Sequence, residues 1–598
     1  MLVLGGGPTG RAVSALLAAG NDDRRVILAD ANHQKPFVPN YGVWQDEWDA
    51  VVERYKNAGV TIEGGAYGKA LNREWSVTDC FFGGSWEMPT EQRIRLDRPY
   101  CQIDKYALRD CLIHPNVEIL PMNHASKAVG LNLYSPTGSL VHDAEGSTVT
   151  LQSKDGTESA TVRTKLIVDT TGHETQLVLR DVKADGNRPP GFQIAYGCLV
   201  DIDEEGIPDP TKAGPYDKEA MTLFDYRTDH FDNANDGDDV ATRAFDSPTF
   251  VYVMPQKDNK VFFEETSLVA RPALSFQECK DRCMTRLEYL GIKVKDIEEE
   301  EFCYIPMGGS LPAKGQRIIG VGGAAAMVHP STGYHLCRMM MGASDAVRTI
   351  EEGLANNYVP DKIAASAYHS IWSVENIKQR NFAVFGGEFL MEQNVQYLRG
   401  FFDGFFRMPL DLWAGFLAGW PGLPNNDKHE TWYKRLWFGL NLVARTPPQV
   451  TIAMAAAIAA FIVEEGPPLV QSVTPFLGDP PSFEYEDYLA ANVGDVAVKA
   501  EARRIIQASK VTKDLPLAFG EEEENGETDT VPDGVVVVSV DSEPEPEHGP
   551  ETESEHGGET EEQDPPVLEA EVASDETTTT TTTTENPTEQ EEQTVSIE

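Results

Sequence analysis

Two adjacent carboxylates, Glu264 and Glu265, follow the apolar run Val261-Phe262-Phe263, and the segment continues as Thr266-Ser267-Leu268-Val269-Ala270-Arg271-Pro272. A carboxyl group among apolar neighbours resists ionisation. Kept protonated at neutral pH, it can deliver a proton to a very weak base. A hydrocarbon double bond is the base that demands such an acid, so the pattern hints at carbocation chemistry. A structural reading stands beside this one, because side chains alternate along a strand and one glutamate of such a pair usually points to solvent. A second set, Asp225, Arg227 and Asp229, occupies alternate positions of Asp225-Tyr-Arg-Thr-Asp-His230, one face of an extended segment. That face suits a proton shuttle or an ordered pocket, and equally a solvated row of ion pairs.

Elements that would position these groups begin at the N-terminus. Leu2-Val3-Leu4 reads as a strand, Gly5-Gly-Gly-Pro-Thr-Gly10 as a tight turn, and the Ala/Leu-rich stretch to Gly20 as a helix. Gly5, Gly7 and Gly10 fit G-x-G-x-x-G: the first permits the turn, the second lets a pyrophosphate approach the backbone, and the third lets helix and strand pack closely. A second strand over 25–29 ends in Asp30, an acid placed to accept bonds from a ribose. Together these predict a dinucleotide-binding fold, whether for FAD or for a nicotinamide. Thr161–Thr171 reads as a strand preceded by an Asp155-Gly156 turn and followed by Gly172, and residues 315–334 supply another strand, a glycine loop with Gly322 and Gly323, and a helix. A nucleotide domain that returns to its own sheet after an insertion is the wiring of large flavoproteins.

Composition narrows the classes. The chain of 598 residues is 41% hydrophobic, enough for a sizeable core in two to four domains. From Glu521 to Glu598 it holds 27 acidic and no basic residues, with eight successive threonines at 577–584, so a disordered acidic tail carries 27 of the 46 excess negative charges. The apolar island Val535–Val540 interrupts it, either as a docking segment or as an unused patch. An acidic body with an acidic tail argues against nucleic acid. The eight cysteines show no CxxC and no metal-type spacing, so no metal site is expected, and reduced thiols suit an intracellular or organellar protein. The longest apolar run, Val450–Val463, is short for a membrane span and suits a buried or interfacial helix. Met1 is followed at once by the first strand, so a targeting peptide is expected to be missing from this sequence rather than from the protein.

Seven blocks in order carry a resemblance: Pro39-Asn-Tyr-Gly-Val-Trp44, Leu96-Asp-Arg-Pro-Tyr100, Val168-Asp-Thr-Thr-Gly172, Gly191-Phe-Gln-Ile-Ala-Tyr-Gly197, Phe262-Phe-Glu-Glu-Thr266, Ile305-Pro-Met-Gly-Gly309 and Met327-Val-His-Pro-Ser-Thr-Gly-Tyr334. Over roughly residues 1–445 the chain resembles the plant and algal lycopene cyclases. The resemblance implies an α/β, Rossmann-like FAD-binding domain with an inserted β-rich substrate domain, discontinuous over 1–380. A helical, aromatic-rich, membrane-associating region at 381–515 and the disordered tail at 516–598 would complete the chain. It also implies redox-neutral cyclisation of lycopene ends on reduced FAD, with NADPH as electron donor, in a plastid, monotopic at a membrane surface and near other carotenoid enzymes.

Glu264 matches the first glutamate of the family motif and is the expected acid, with Glu265 as partner or orienting group; Asp225, Arg227 and Asp229 resemble a further family block. Gly5, Gly7, Gly10, Asp30, Gly172, Gly322, Gly323 and His329 are the expected cofactor residues, His329 capping a helix or touching the isoalloxazine, or serving only as a structural histidine. Tyr334 and His335 are expected on the same helix. Phe263 stands where ring-β enzymes commonly carry Leu and ring-ε enzymes can carry Phe, whereas Ser331 and the segment 266–272 look β-like. An ε-cyclase is therefore the alternative, and a flavin monooxygenase a remoter one, since Gly320-Val-Gly-Gly-Ala-Ala-Ala lacks the Asp many such enzymes place there. Phe401, Phe402, Phe405 and Phe406 recur at helical spacing and are expected to face lipid, with an internal helical cap as the other reading.

Overall fold

The computed structural model describes residues 1–83, 85–86, 93–122, 124–125, 140–153, 156–173, 175, 177–180, 189–203, 211–232, 243–480 and 537–538. All belong to the unit Met1–Val540; the tail expected at 516–598 lies outside the described residues except at 537–538.

Leu2–Leu4, Val26–Ala29 and Ile167–Asp169 are short runs buried along their whole length, as strands covered on both faces must be. With Val117–Leu120 and Ile319–Gly320 they build a five-stranded parallel sheet in the order Ile319–Gly320, Ile167–Asp169, Leu2–Leu4, Val26–Ala29, Val117–Leu120. Its last strand arrives only after a second sheet has been laid down, which is the Rossmann-like, interrupted wiring expected. The single strand expected over 161–171 is instead two. Ser159–Thr164 pairs antiparallel with Ser147–Gln152, and the chain turns at Lys165-Leu166, where the Thr164 hydroxyl donates to the Leu166 carbonyl at 2.9 Å, before Ile167 enters the parallel sheet. Asp155 lies outside the described residues, while Gly156 has the left-handed φ of +75° that such a turn requires. Val537–Val538, from the apolar island, pairs antiparallel with Thr161 and Val162.

The inserted sheet has seven strands in the order Val294–Met307, Gly191–Ile202, Lys260–Ser267, Thr249–Pro255, Met221–Asp225, Thr78–Phe81, Ile94–Leu96. Alternation along Lys260–Ser267 gives it two characters. Val261 and Phe263 join Val251, Val253, Cys279, Cys283 and Leu287 beneath the helix Phe276–Tyr289. Phe262 points the other way, into the core shared with Phe250, Met254 and the C-terminal helices.

Between the helix Leu336–Ala355 and residue 480 the chain is helical: Pro360–Ile371, Val374–Met391, Val395–Phe406, Leu410–Ala418, Trp432–Val443, Pro448–Glu465 and Pro468–Val473. Proline begins three of these helices, where its missing N–H costs nothing, and Asn394 caps a fourth by accepting from the N–H groups of Gln396 and Tyr397. Residue 381, the expected start of this region, falls inside Val374–Met391.

The lipid-facing expectation for the phenylalanines is corrected. Phe401, Phe402, Phe405 and Phe406 are at most 7% exposed. Phe402 stacks on Phe224 of the inserted sheet and on Phe82 and Tyr226 just past its strand ends, and Phe406 packs on Trp413. A helical period of apolar residues serves core and lipid alike, and here the sheet supplies the partner. Exposed aromatics lie two helices further on, in Trp432–Val443, with Trp437 59% and Tyr433 52% exposed. We expect Phe402→Ala to cost about 3–5 kcal/mol of stability and Trp437→Ala less than about 0.5 kcal/mol, measured by urea unfolding in detergent.

Candidate active site

A backbone-walled cradle lies at the C-terminal edge of the parallel sheet. Gly5 has φ +92°, and a Cβ on Gly10 would sit 1.8 Å from the Gly5 carbonyl, so strand and helix approach as only glycine allows. Around Gly7 and Gly172 a Cβ would meet nothing within 4 Å, while Gly322 abuts Thr9 and Gly323 abuts Gly172. The helix Pro8–Gly20 has no side-chain cap, so its first N–H groups point out beside Gly7. Open space over bare backbone at an uncapped helix start fits a dinucleotide pyrophosphate.

Asp30, at the end of Val26–Ala29, is buried and already accepts from Arg11 Nη2 at 3.1 Å and from the Asn32 N–H at 2.9 Å. A carboxylate retains lone pairs for a ribose beyond these. Arg11, which sequence reasoning passed over, braces the turn by also donating to the carbonyls of Gly6 and His33. His329 does not join the cradle. Its Nδ1 accepts from the Ser331 N–H at 3.3 Å, its ring meets Phe416 edge-on, and burial holds its pKa well below the usual value, as in a neutral core histidine.

Where the inserted sheet faces the start of helix Leu336–Ala355 there is a cavity of about 100 Å³, lined among others by Trp44, Tyr252, Glu264, Glu301, Tyr334 and His335. Tyr334 and His335 precede the helix rather than belong to it, His335 being its N-cap residue without a side-chain cap bond. Glu264 opens to this cavity from the face of its strand that Phe262 shares. Burial, then the nearby Glu301, push its carboxyl well above the ordinary range. The two acids come from different strands. Glu264 and Glu301 both pair with Gly197 of the strand between them, so the three form one row across the sheet. A Cβ on Gly197 would come within 2.8 Å of Glu301 Cγ. With that position bare, ligand atoms of Glu264, Glu301 and Cys303 lie within 4.8 Å of one another. Asn40 fastens Glu301, donating its backbone N–H at 2.8 Å and its side-chain amide at 2.7 Å to Oε2.

Glu265 faces the other side of the sheet and does not meet Glu264. Fully buried, it takes Arg286 Nε at 2.7 Å on one oxygen, and Arg286 Nη2 at 2.9 Å and the Thr249 hydroxyl at 2.6 Å on the other. Asp225 and Arg227 lie in this same buried cluster, with Arg227 Nε donating to Asp225 Oδ1 at 2.9 Å and Tyr216 to Oδ2 at 2.9 Å. Burial pushes the Asp225 carboxyl up, but the Arg227 and Arg286 guanidiniums outweigh it and hold the group below its ordinary value. Asp229 breaks the expected alternation: the strand ends at Asp225, Asp229 begins the short helix Asp229–Asp232, and its carboxylate accepts from the Ser85 hydroxyl and the Trp86 N–H. The residues predicted as one catalytic set therefore divide, Glu264 at the cavity and Glu265, Asp225 and Arg227 behind it. Sequence reasoning missed Glu301 and the role of Asn40; the quoted blocks ending at Gly197 and beginning at Pro39 were the signals available.

A family profile described as "Lycopene cyclase protein" matches residues 1–428. Similar curated proteins include the chloroplastic lycopene beta cyclases of Nicotiana tabacum, 32% identical over 74% of this chain and 77% of that protein, and of Arabidopsis thaliana, 32% identical over 74% and 77%. The chloroplastic neoxanthin synthase of Solanum lycopersicum is 30% identical over 70% of this chain and 74% of that protein. Among solved structures, a geranylgeranyl bacteriochlorophyll reductase-like protein from Thermoplasma acidophilum aligns at 13% identity and a TM-score of 0.43, covering 79% of this chain and 97% of that one.

The buried cluster yields an expected outcome of its own. Arg286→Met strands the Glu265 charge and should cost about 3–5 kcal/mol in urea unfolding at pH 7. In the unaltered chain, the Asp225 contribution should be full above its unfolded pKa of 3.8 and be lost as pH falls through the depressed folded value, seen as steep acid unfolding.

Proposed function

The chain belongs to the lycopene cyclase family, and from that premise we propose that it forms β rings at the ends of lycopene, with FAD in the glycine cradle. The carrying observation is Glu264, a carboxyl that burial and the nearby Glu301 push well above the ordinary carboxylate range, at the wall of an aromatic-lined cavity. Two β-cyclase relatives at 32% identity support the ring type over the ε alternative.

Glu264 donates its proton to the end-group double bond. The tertiary cation so formed is attacked by the neighbouring alkene, and loss of a ring proton completes the product without net redox change. Trp44, Tyr100, Tyr252 and Tyr334 line the cavity, and burial pushes the three phenols up, so each offers a neutral π-face to the cation and no competing acid. The uncapped N–H groups opening helix Leu336–Ala355 favour negative charge at that end of the cavity. Gly5, Gly7, Gly10, Gly172, Gly322 and Gly323 would hold the pyrophosphate. Held there and reduced, with NADPH as the electron donor, FAD would supply negative charge that stabilises the cation.

Substrate arrives from a membrane in this reading. The helix Pro448–Glu465 is long and apolar enough to cross a bilayer by length and composition, and only 17% of it is buried. The buried-helix alternative for this segment falls away: Val450, Met454 and Phe461 pack inward, while Ile452 and Val463 are 70% and 85% exposed. Beside it Trp432–Val443 exposes Trp432, Tyr433, Leu436, Trp437 and Leu440. An apolar cavity of about 260 Å³ opens between these helices and the inward phenylalanines. We read this face as lying on a plastid membrane, monotopic, where the enzyme draws up lycopene and other carotenoid enzymes can meet it.

Purified enzyme with FAD, NADPH and lycopene in liposomes should make β-carotene anaerobically, with far less than one NADPH oxidised per ring. ε-Ring products would transfer the assignment to the ε branch, and oxygenated product formed only in air to a monooxygenase. Glu264→Gln should abolish ring formation while retaining FAD. The same substitution should stabilise the fold at pH 8, because an acid held protonated in the native state alone costs stability as pH rises above its unfolded pKa of 4.5. Changing Trp437 and Leu440 together to Glu should weaken liposome binding about tenfold or more in co-sedimentation.

A further inference from the structure

Resting on the cyclase reading, we propose that Glu301, fastened by Asn40 and facing Glu264 across the bare row at Gly197, shares a single proton with Glu264 and acts through it as the positioning residue of ring closure. The argument is geometric first. Two carboxyls two strands apart meet only because the strand between them carries no side chain at that register. Two like charges within 4.8 Å at the wall of this aromatic-lined cavity repel each other, so the pair holds one proton at neutral pH.

The surroundings decide which partner holds the proton. Glu301 receives two N–H bonds from Asn40, and Lys105 adds positive charge from its helix, Lys105–Cys111. Its other neighbours are Glu299, Cys303 and Tyr41. Facing Glu264 are Tyr252, Tyr100, Cys303 and Glu301, none of them a cation. Hydrogen bonds and charge thus favour the anion on Glu301 and the proton on Glu264. Burial raises both carboxyls, Glu264 the more strongly.

The pair enters the reaction as one carboxylic acid and one carboxylate. The Glu264 O–H bond breaks as the new C–H bond forms at the alkene, leaving two carboxylates opposite one carbocation. Ring closure moves that charge within the substrate, and the proton then lost from the ring returns to the pair, restoring its single proton. Glu301 contributes the fixed negative charge that keeps Glu264 protonated beforehand and faces the cation afterwards.

The test is the pH profile of lycopene cyclisation in liposomes by FAD-loaded full-length enzyme. With Glu301→Gln, Glu264 loses its charged neighbour and ionises sooner, so the alkaline limb should move toward acid by about one pH unit or more, with an unchanged half-saturating lycopene concentration and FAD content. Asn40→Ala, which leaves both acids in place, lets the proton pass to Glu301 and should also move activity toward acid; it carries the test should the first variant fail to fold. A uniform loss at every pH with an unmoved limb in both would overturn the pair. Continued cyclisation by Glu264→Gln, or no ring product from the unaltered chain, would instead defeat the cyclase reading on which it rests.

Discussion

Whether a buried carboxyl meets a cation decides what its charge costs, and the strand Lys260–Ser267 supplies both settings. Alternation sends its two glutamates into opposite environments. On one side Glu265 meets Arg286, and with Asp225 and Arg227 the cluster balances its charges. On the other side no Lys or Arg among the described residues bonds Glu264, which faces aromatic rings and another acid. A buried ion pair contributes little net stability but is costly to break, so the balanced cluster serves as a fixed floor under the strand that presents the acid.

The cradle and the acid answer opposite needs with the same residue type. Around Gly7 and Gly172 the absent side chains leave room for a phosphate to reach backbone N–H groups, whereas at Gly197 the absence lets two side chains approach each other over the strand. The first is electrostatic attraction through helix N–H groups, the second enforced repulsion between acids.

Much of this was legible in the chain because its signals are local. The turn Gly5–Gly10, its flanking strand and helix, and the later Gly322-Gly323 loop each declare themselves within a few residues. Glu264 was legible as an acid in an apolar run. Its relation to Glu265 was not, since adjacency in sequence means opposite faces in a strand. Glu301 was hidden for another reason: it ends the run Glu298–Glu301, which reads as solvated, and only the two-strand register with Gly197 turns it inward. The phenylalanines at 401–406 were misread because their spacing specifies a helix face but not what covers it. His329, next to a glycine loop, invited a cofactor role that its packing on Phe416 does not bear out.

The late return of Ile319–Gly320 to the edge of the first sheet has a consequence for how the protein is made. Residues 2–4 emerge from the ribosome well before the others, yet the cradle they help form needs Gly172 and Gly323 beside it. Pairings so distant in sequence are slow to find, and vectorial synthesis imposes a wait. A nascent chain holding the Gly5–Gly10 loop therefore has no complete place for a dinucleotide until the whole inserted sheet, acid pair included, has been translated. Cofactor capture then becomes a checkpoint on the assembly of the site it serves.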